Sequence, residues 1–264
     1  MSASSKPLLT VTGGFGRVGR MLLPRLSEDY RVHVIDRAEA EVSTAPYQIT
    51  IGDLQNTDTL ASALHGADAL LHLAANPSPT APWSAAIGNA DITRGVLIAA
   101  RDAGIEHTVV ASSVHAAGGN FRFGQTPVRA YGTPRPCCEY GVGKLASEGL
   151  ARLHHDITGT SVRVLRLGLT AWDPVSQDLA KTWIGDRDAA SLVTGALAAN
   201  PGFGIYYGVS RYAAQYWDVS NAATDLDWEP SEELPVALSL LSTETKANCA
   251  LFLEPPPGER QNRA

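Results

Sequence analysis

Thr12-Gly13-Gly14-Phe15-Gly16-Arg17-Val18-Gly19 follows a short apolar, β-branched run and leads into a segment with helical spacing. Glycines at 13, 16 and 19 on a strand-to-helix turn have separate tasks. Gly13 permits the tight turn, Gly16 lets the backbone approach a phosphate, and Gly19 allows the helix to pack closely on the strand. The helix after the turn would offer unpaired N–H groups and the positive end of its dipole to a pyrophosphate. The stretch therefore predicts a dinucleotide cradle, with Arg17 and Val18 inside it.

Working outward, residues 8–12 are the first strand, and 16–28 a helix with Val18, Leu22, Leu23 and Leu26 on one side. Pro24 inside it predicts a kink or an early end. A second strand over 31–35 closes on Asp36, and a third spans 47–51. Next come a helix through Leu54, Leu60 and Leu64, a strand at 69–73, a long helix at 83–103 and a strand at 108–113. A loop rich in glycine and proline covers 118–136, then come a helix at 137–155 and a sixth strand at 161–167. Strands and helices alternating at this spacing predict an α/β fold, a doubly wound parallel sheet of the Rossmann type. Beyond Gly168 the pattern loosens to a helix at 188–199, a strand at 204–209 and an irregular, Trp-rich stretch at 211–230. The expected division is a dinucleotide-binding core over 1–168, a small substrate-covering C-terminal lobe over 169–244 interleaved with it, and a flexible tail over 245–264. No internal repeats occur.

The bulk numbers suit this reading. The chain has 264 residues, 44% of them hydrophobic and 18% charged, enough for one sizeable core. The net charge is −6 and the basic residues are dispersed, which argues against a nucleic-acid partner. Apolar runs are too short to span a bilayer, so no membrane role is expected. A polar start leading directly into a strand is no signal peptide. Three cysteines, two of them adjacent at 137 and 138, predict neither a disulfide framework nor a zinc set. His107, His154 and His155 also lack partners at metal-ligand spacing. No metal is expected, and the location expected is the reducing cytoplasm.

Asp36 stands 17 residues after Gly19, where a carboxylate can accept both ribose hydroxyls. It would repel a 2′-phosphate, which favours NAD over NADP; Arg37 beside it is the opposing signal. Asp53-Leu54 after the third strand either meets the adenine or supplies a helix N-cap. Tyr140 and Lys144 are four apart and share one helix face. A phenol is a poor base near neutrality, and an adjacent ammonium lowers its pKa toward the working range. Ser113, ending the fifth strand, can bind the same substrate oxygen. These three are the expected catalytic set. Trp172, Trp183, Trp217 and Trp228 are read as core, with one or two free to stack on a ring-shaped substrate.

These motifs resemble the extended short-chain dehydrogenase/reductase superfamily, its NAD-dependent epimerase/dehydratase branch, over about residues 7–245. The resemblance implies that Tyr140 is the acid/base, that Lys144 also contacts the nicotinamide ribose, and that Ser113 rather than Ser112 orients the substrate carbonyl. It places Leu73, Ala74 and Ala75 against the cofactor, through the segment that begins at His72, and matches Asn89 to a family asparagine. Within the branch, Ser112-Ser113-Val114-His115, Leu165-Arg166-Leu167-Gly168, Thr182-Trp183 and Leu226-Asp227-Trp228-Glu229-Pro230 look most like the uronate dehydrogenases. Those enzymes oxidise the anomeric carbon of hexuronates with NAD. Ser78, Val114, His115, Leu169 and Asp178 then become the substrate candidates. Val114 replaces an asparagine of that group and Leu169 a serine. Asp178 aligns with the arginine that pairs with the substrate carboxylate, although a shift of a few residues would put Lys181 there instead. A carboxylate would repel an anion, and two apolar residues leave sugar hydroxyls unpaired. The expectation is hydride transfer between NAD and a secondary alcohol, ketone or hemiacetal carbon of a small, cyclic, sugar-like substrate. Uronate oxidation proper, an NAD-retaining epimerase or dehydratase, and a dinucleotide-sensing binding protein stay as alternatives. The resemblance also implies a homodimer or higher homo-oligomer built on the long helix at 83–103 and the helix carrying Tyr140 and Lys144.

Overall fold

The computed structural model describes residues 6–37, 46–244 and 251. The main sheet is formed by β1 (Leu8–Thr12), β2 (Arg31–Asp36), β3 (Gln48–Ile51), β4 (Ala69–His72), β5 (His107–Ser113), β6 (Ser161–Leu167) and, from the far C-terminal part, Phe203–Gly208. These seven strands run in the order β3-β2-β1-β4-β5-β6 and then Phe203–Gly208, every neighbouring pair parallel. The order reverses between β1 and β4, which places a crevice at their carboxyl ends. A parallel sheet covered on both faces calls for unbroken apolar strands, and β4 and β6 are buried along their whole length.

The flanking helices are α1 (Arg17–Asp29), α2 (Thr57–Leu64), α3 (Trp83–Asp102), α4 (Gly118–Arg122) and α5 (Glu139–Thr158). After β6 the chain adds β7 (Leu169–Thr170), α6 (Gln177–Ala180), β8 (Trp183–Ile184), α7 (Asp186–Ala198), the last sheet strand β9 (Phe203–Gly208) and α8 (Ser220–Leu226). β7 pairs with β8 in a sheet of its own. α1 buries Leu22, Leu23 and Leu26, as its spacing predicts, but it does not end at Pro24. Pro24 lies on the exposed side, where its ring and the carbonyl it leaves unbonded face water.

The stretch expected as a plain loop at 118–136 contains α4. Asn120 anchors the segment beyond that helix, accepting from Arg135 N at 2.9 Å and donating to Thr133 O at 3.2 Å. The Trp-rich stretch likewise contains α8, and its tryptophans serve the core. Trp217 is wholly buried and donates to Lys181 O at 2.8 Å, while Trp228 donates to Asp188 O at 3.1 Å. Most of the expected tail lies outside the described residues. Leu251 is the exception, and it is packed into the cluster of Val114, Val128 and Trp217.

Candidate active site

The crevice encloses about 1090 Å³. That is above the roughly 300–1,000 Å³ of common small-molecule pockets and leaves room for a dinucleotide beside a second ligand.

Its first wall is the glycine turn. Gly13 has φ +71, and a Cβ there would lie 2.6 Å from Ala74 Cα, so only glycine fits between β1 and the end of β4. A Cβ on Gly19 would lie 2.3 Å from Gly14 O, which is why α1 can start so close to the strand. Gly16 is the N-cap of α1 and no side chain caps it, so the first N–H groups of the helix stay directed at the crevice. Asp36 Oδ2 accepts from Phe15 N at 2.9 Å, holding the carboxylate at the lip of the turn. Asp36, Arg37, Asp53 and Leu54 line this end of the crevice, as do Arg17 and Val18, and Leu73, Ala74 and Ala75 line the stretch beyond. Asp53 is not the N-cap of α2. Its Oδ1 accepts from Gln55 N at 2.9 Å, while Asn56 caps the helix through Thr59 N. The shape of the turn and the carboxylate at its lip fit a dinucleotide with an unphosphorylated ribose.

Two buried side chains brace the cradle from behind. His72 Nδ1 lies 2.7 Å from Thr12 Oγ1 and its Nε2 3.1 Å from Thr93 Oγ1, tying β1, β4 and α3 together. Burial, with the Lys144 charge second, pushes its pKa down to about 3, so the ring stays neutral. Asn89 accepts from Asn76 N at 2.7 Å and donates to Asn76 O at 3.0 Å, clamping the loop after β4.

Ser113, Tyr140 and Lys144 meet on the opposite wall, β5 bringing the serine and the first turns of α5 the other two. Burial pushes the Tyr140 pKa above its ordinary value, and the neighbouring Ser113 hydroxyl works against that rise. The expected lowering by Lys144 is not what governs the phenol here. Lys144 Nζ donates to Ala111 O at 2.8 Å and lies 5.9 Å from the centre of the Tyr140 ring. Burial also pushes Lys144 down, to about 8, against the opposing charge of Glu148. Ser112 is engaged elsewhere, donating to Glu148 Oε1 at 2.6 Å.

Ser78, Val114, His115 and Leu169 also border the crevice. Asp178 does not. Leu179 and Thr182 face the crevice instead, and the Asp178 carboxylate is paired with Lys181 Nζ at 2.6 Å. Among the described residues, neither Asp178 nor Lys181 is part of the crevice lining. The His115 ring meets Tyr140 edge-on at 5.6 Å.

Of the four tryptophans read mainly as core, Trp172 is exposed and borders the crevice, with the Arg17 guanidinium 3.4 Å from its ring centre. No motif marks that pairing, since it joins the first turn of α1 to the loop after β7. Leu251 also borders the crevice, hidden in the sequence by the prolines close behind it.

Comparison with known proteins agrees with this geometry. A model of the NAD dependent epimerase/dehydratase family matches residues 9–170. The NAD-dependent glucose-6-phosphate dehydrogenase of Haloferax volcanii is 31% identical over 86% of this chain and 94% of its own. L-arabinose 1-dehydrogenase (NAD(P)(+)) from the same organism is 32% identical over 74% of this chain and 78% of its own. Among solved structures, a mutant uronate dehydrogenase of Agrobacterium tumefaciens complexed with NAD superposes with a TM-score of 0.78 at 25% identity, covering 86% of each chain. With its glycine turn, Asp36 and the matched span together, this chain belongs to the NAD-dependent epimerase/dehydratase family and uses NAD.

Proposed function

We propose that this chain is a sugar dehydrogenase that oxidises the hemiacetal carbon of a small, neutral, cyclic aldose. The observation that carries this reading is the convergence of Ser113, Tyr140 and Lys144 on the crevice that the glycine turn opens. Bound NAD supplies the hydride acceptor. Ser113 and Tyr140 hold the anomeric hydroxyl, and Tyr140 Oη takes its proton as the carbon loses hydride, leaving a lactone. The Lys144 ammonium stabilises the phenolate and reaches the ribose. Asp36 holds the adenosine ribose, with Arg37, Asp53 and Leu54 around it.

The preference for a neutral sugar comes from the charges present. Among the described residues, the Lys and Arg side chains lining the crevice are Arg17, Arg37 and Lys144, all assigned to the cofactor or the phenol in this reading. A carboxylate or phosphate on the sugar would lack a dedicated cation, and Val114 and Leu169 favour the less hydroxylated face of the ring. The relatives named for glucose 6-phosphate, L-arabinose and uronate support an aldose-type substrate. Self-association through α3 and α5 and a cytoplasmic location belong to the same reading. Val142, Leu153 and Ile157 form an exposed apolar stripe on α5 that would suit such contact. No helix among the described residues is long and apolar enough to cross a membrane.

The test is an NAD-reduction screen of neutral aldoses, hexuronates, aldose phosphates and sugar nucleotides. Neutral aldoses should produce NADH. Activity confined to hexuronates or phosphates would refute the charge argument, and isomerised sugar without free NADH would mean an epimerase. Tyr140→Phe should lose about 10²–10⁴-fold in kcat while binding NADH as before; a rate near wild type would rule out the mechanism.

A further inference from the structure

Next to the triad, the fold brings His115 against the adjacent thiols of Cys137 and Cys138, 22 and 23 residues further along the chain. His115 Nδ1 lies 3.3 Å from Cys137 Sγ and 3.5 Å from Cys138 Sγ, and the three atoms lie within 4.8 Å of one another. The main chain holds them there. Cys137 N donates to His115 O at 3.2 Å, and Gly141 lets α5 pass so close that a Cβ would sit 2.3 Å from that same oxygen. A tetrahedral zinc ion with nitrogen at about 2.05 Å and sulfur at about 2.3 Å sets neighbouring N and S ligand atoms about 3.6 Å apart. The two observed N–S separations need only a few tenths of an ångström of movement. All three residues are half-buried, so the atoms are partly desolvated and still reachable. Imidazole with two thiolates selects zinc-like ions over magnesium or calcium.

We propose that His115, Cys137 and Cys138 bind a thiophilic divalent cation, Zn²⁺ or Cd²⁺, with a fourth position left to water. Binding releases two thiol protons to solvent. The imidazole coordinates as the neutral ring through Nδ1, with its proton on Nε2. Two thiolates balance the dication, so the half-buried site gains no net charge. His115 also borders the crevice and packs on Tyr140, so occupancy fixes that ring and damps turnover; this last consequence rests on the dehydrogenase reading.

The experiment titrates reduced, chelator-stripped full-length protein with Cd²⁺ and follows the near-ultraviolet sulfur-to-metal charge-transfer band. One equivalent per chain should bind to wild type, to Cys249→Ser, which removes the third cysteine, and to Tyr140→Phe alike. The band should vanish in Cys137→Ser/Cys138→Ser, and His115→Ala should weaken binding by at least about tenfold. No band in wild type, an unchanged band in the double variant, or loss of the band in Cys249→Ser would overturn the site. Because Tyr140→Phe is expected to bind metal without turning over sugar, failure here is separable from failure of the proposed function. Zinc should inhibit wild-type turnover reversibly on chelation, and inhibition persisting in the double variant would sever the link to His115.

Discussion

Tyr140 and Lys144 are both buried, and burial moves them in opposite directions, the phenol up and the ammonium down to about 8. Each shift disfavours its charged form, so the pair starts with the phenol protonated and the lysine near the edge of its charged range. Oxidation needs the phenol without its proton. The rate should therefore climb with pH, kcat/KM rising with a slope near one below the first apparent pKa of the coupled pair. Lys144→Met removes the ammonium that favours phenolate, so its profile should move to higher pH as well as fall. A flat profile from pH 6 to 8 in wild type, or an unshifted one in the variant, would contradict the assignment. Ser113, Tyr140 and Lys144 were legible because their spacing encodes a shared face and a strand end. Asp178 was not. Its contact with Lys181 is local to α6, and an alignment anchored only at Thr182 carries no information on which way that turn faces.

β6 shows how an element supports the site from beneath. Its Arg166 is buried and gives Glu148 two bonds, Nε to Oε1 at 2.9 Å and a terminal nitrogen to Oε2 at 2.7 Å. The remaining donor reaches Tyr207 at 3.0 Å and Ala130 O at 3.2 Å. Glu148 also receives Ser112, one residue before Ser113, so the network joins β5, α5, β6 and β9. Glu148→Ala strands a buried guanidinium and should cost about 3–5 kcal/mol, read as a lower urea midpoint with an unchanged slope. Glu148→Gln, which still accepts hydrogen bonds, should cost less; equal losses would show that packing rather than charge is at stake. The apolar periodicity of β6 gave its bounds directly, Ser161–Leu167. α4 was missed because Gly118 and Gly119 read as breakers, yet both are buried, and Gly119 N donates to Arg135 O at 2.6 Å. Close approach, not flexibility, explains those glycines.

At the scale of the whole molecule, the crevice is closed by pieces distant in sequence. Arg17 meets Trp172 across it, and Leu251 returns to its substrate end, only 2% exposed among Val114, Val128 and Trp217. Such closure is invisible to local periodicity, which is why the glycine cradle and the Ser113, Tyr140 and Lys144 wall could be read in advance and the contacts of Trp172 and Leu251 could not. Leu251 touches the wall that carries Val114 and His115, whereas the glycine turn stands at the other end of the crevice. Truncating it should thus separate the two ligands. Leu251→Ala removes buried apolar volume and should destabilise the fold by about 2–5 kcal/mol. At a temperature where the variant remains folded, the KM for sugar should rise several-fold while NADH affinity, measured by fluorescence titration, stays within error of wild type. Equal weakening of both ligands would mean that Leu251 supports the fold as a whole and does not shape the substrate end.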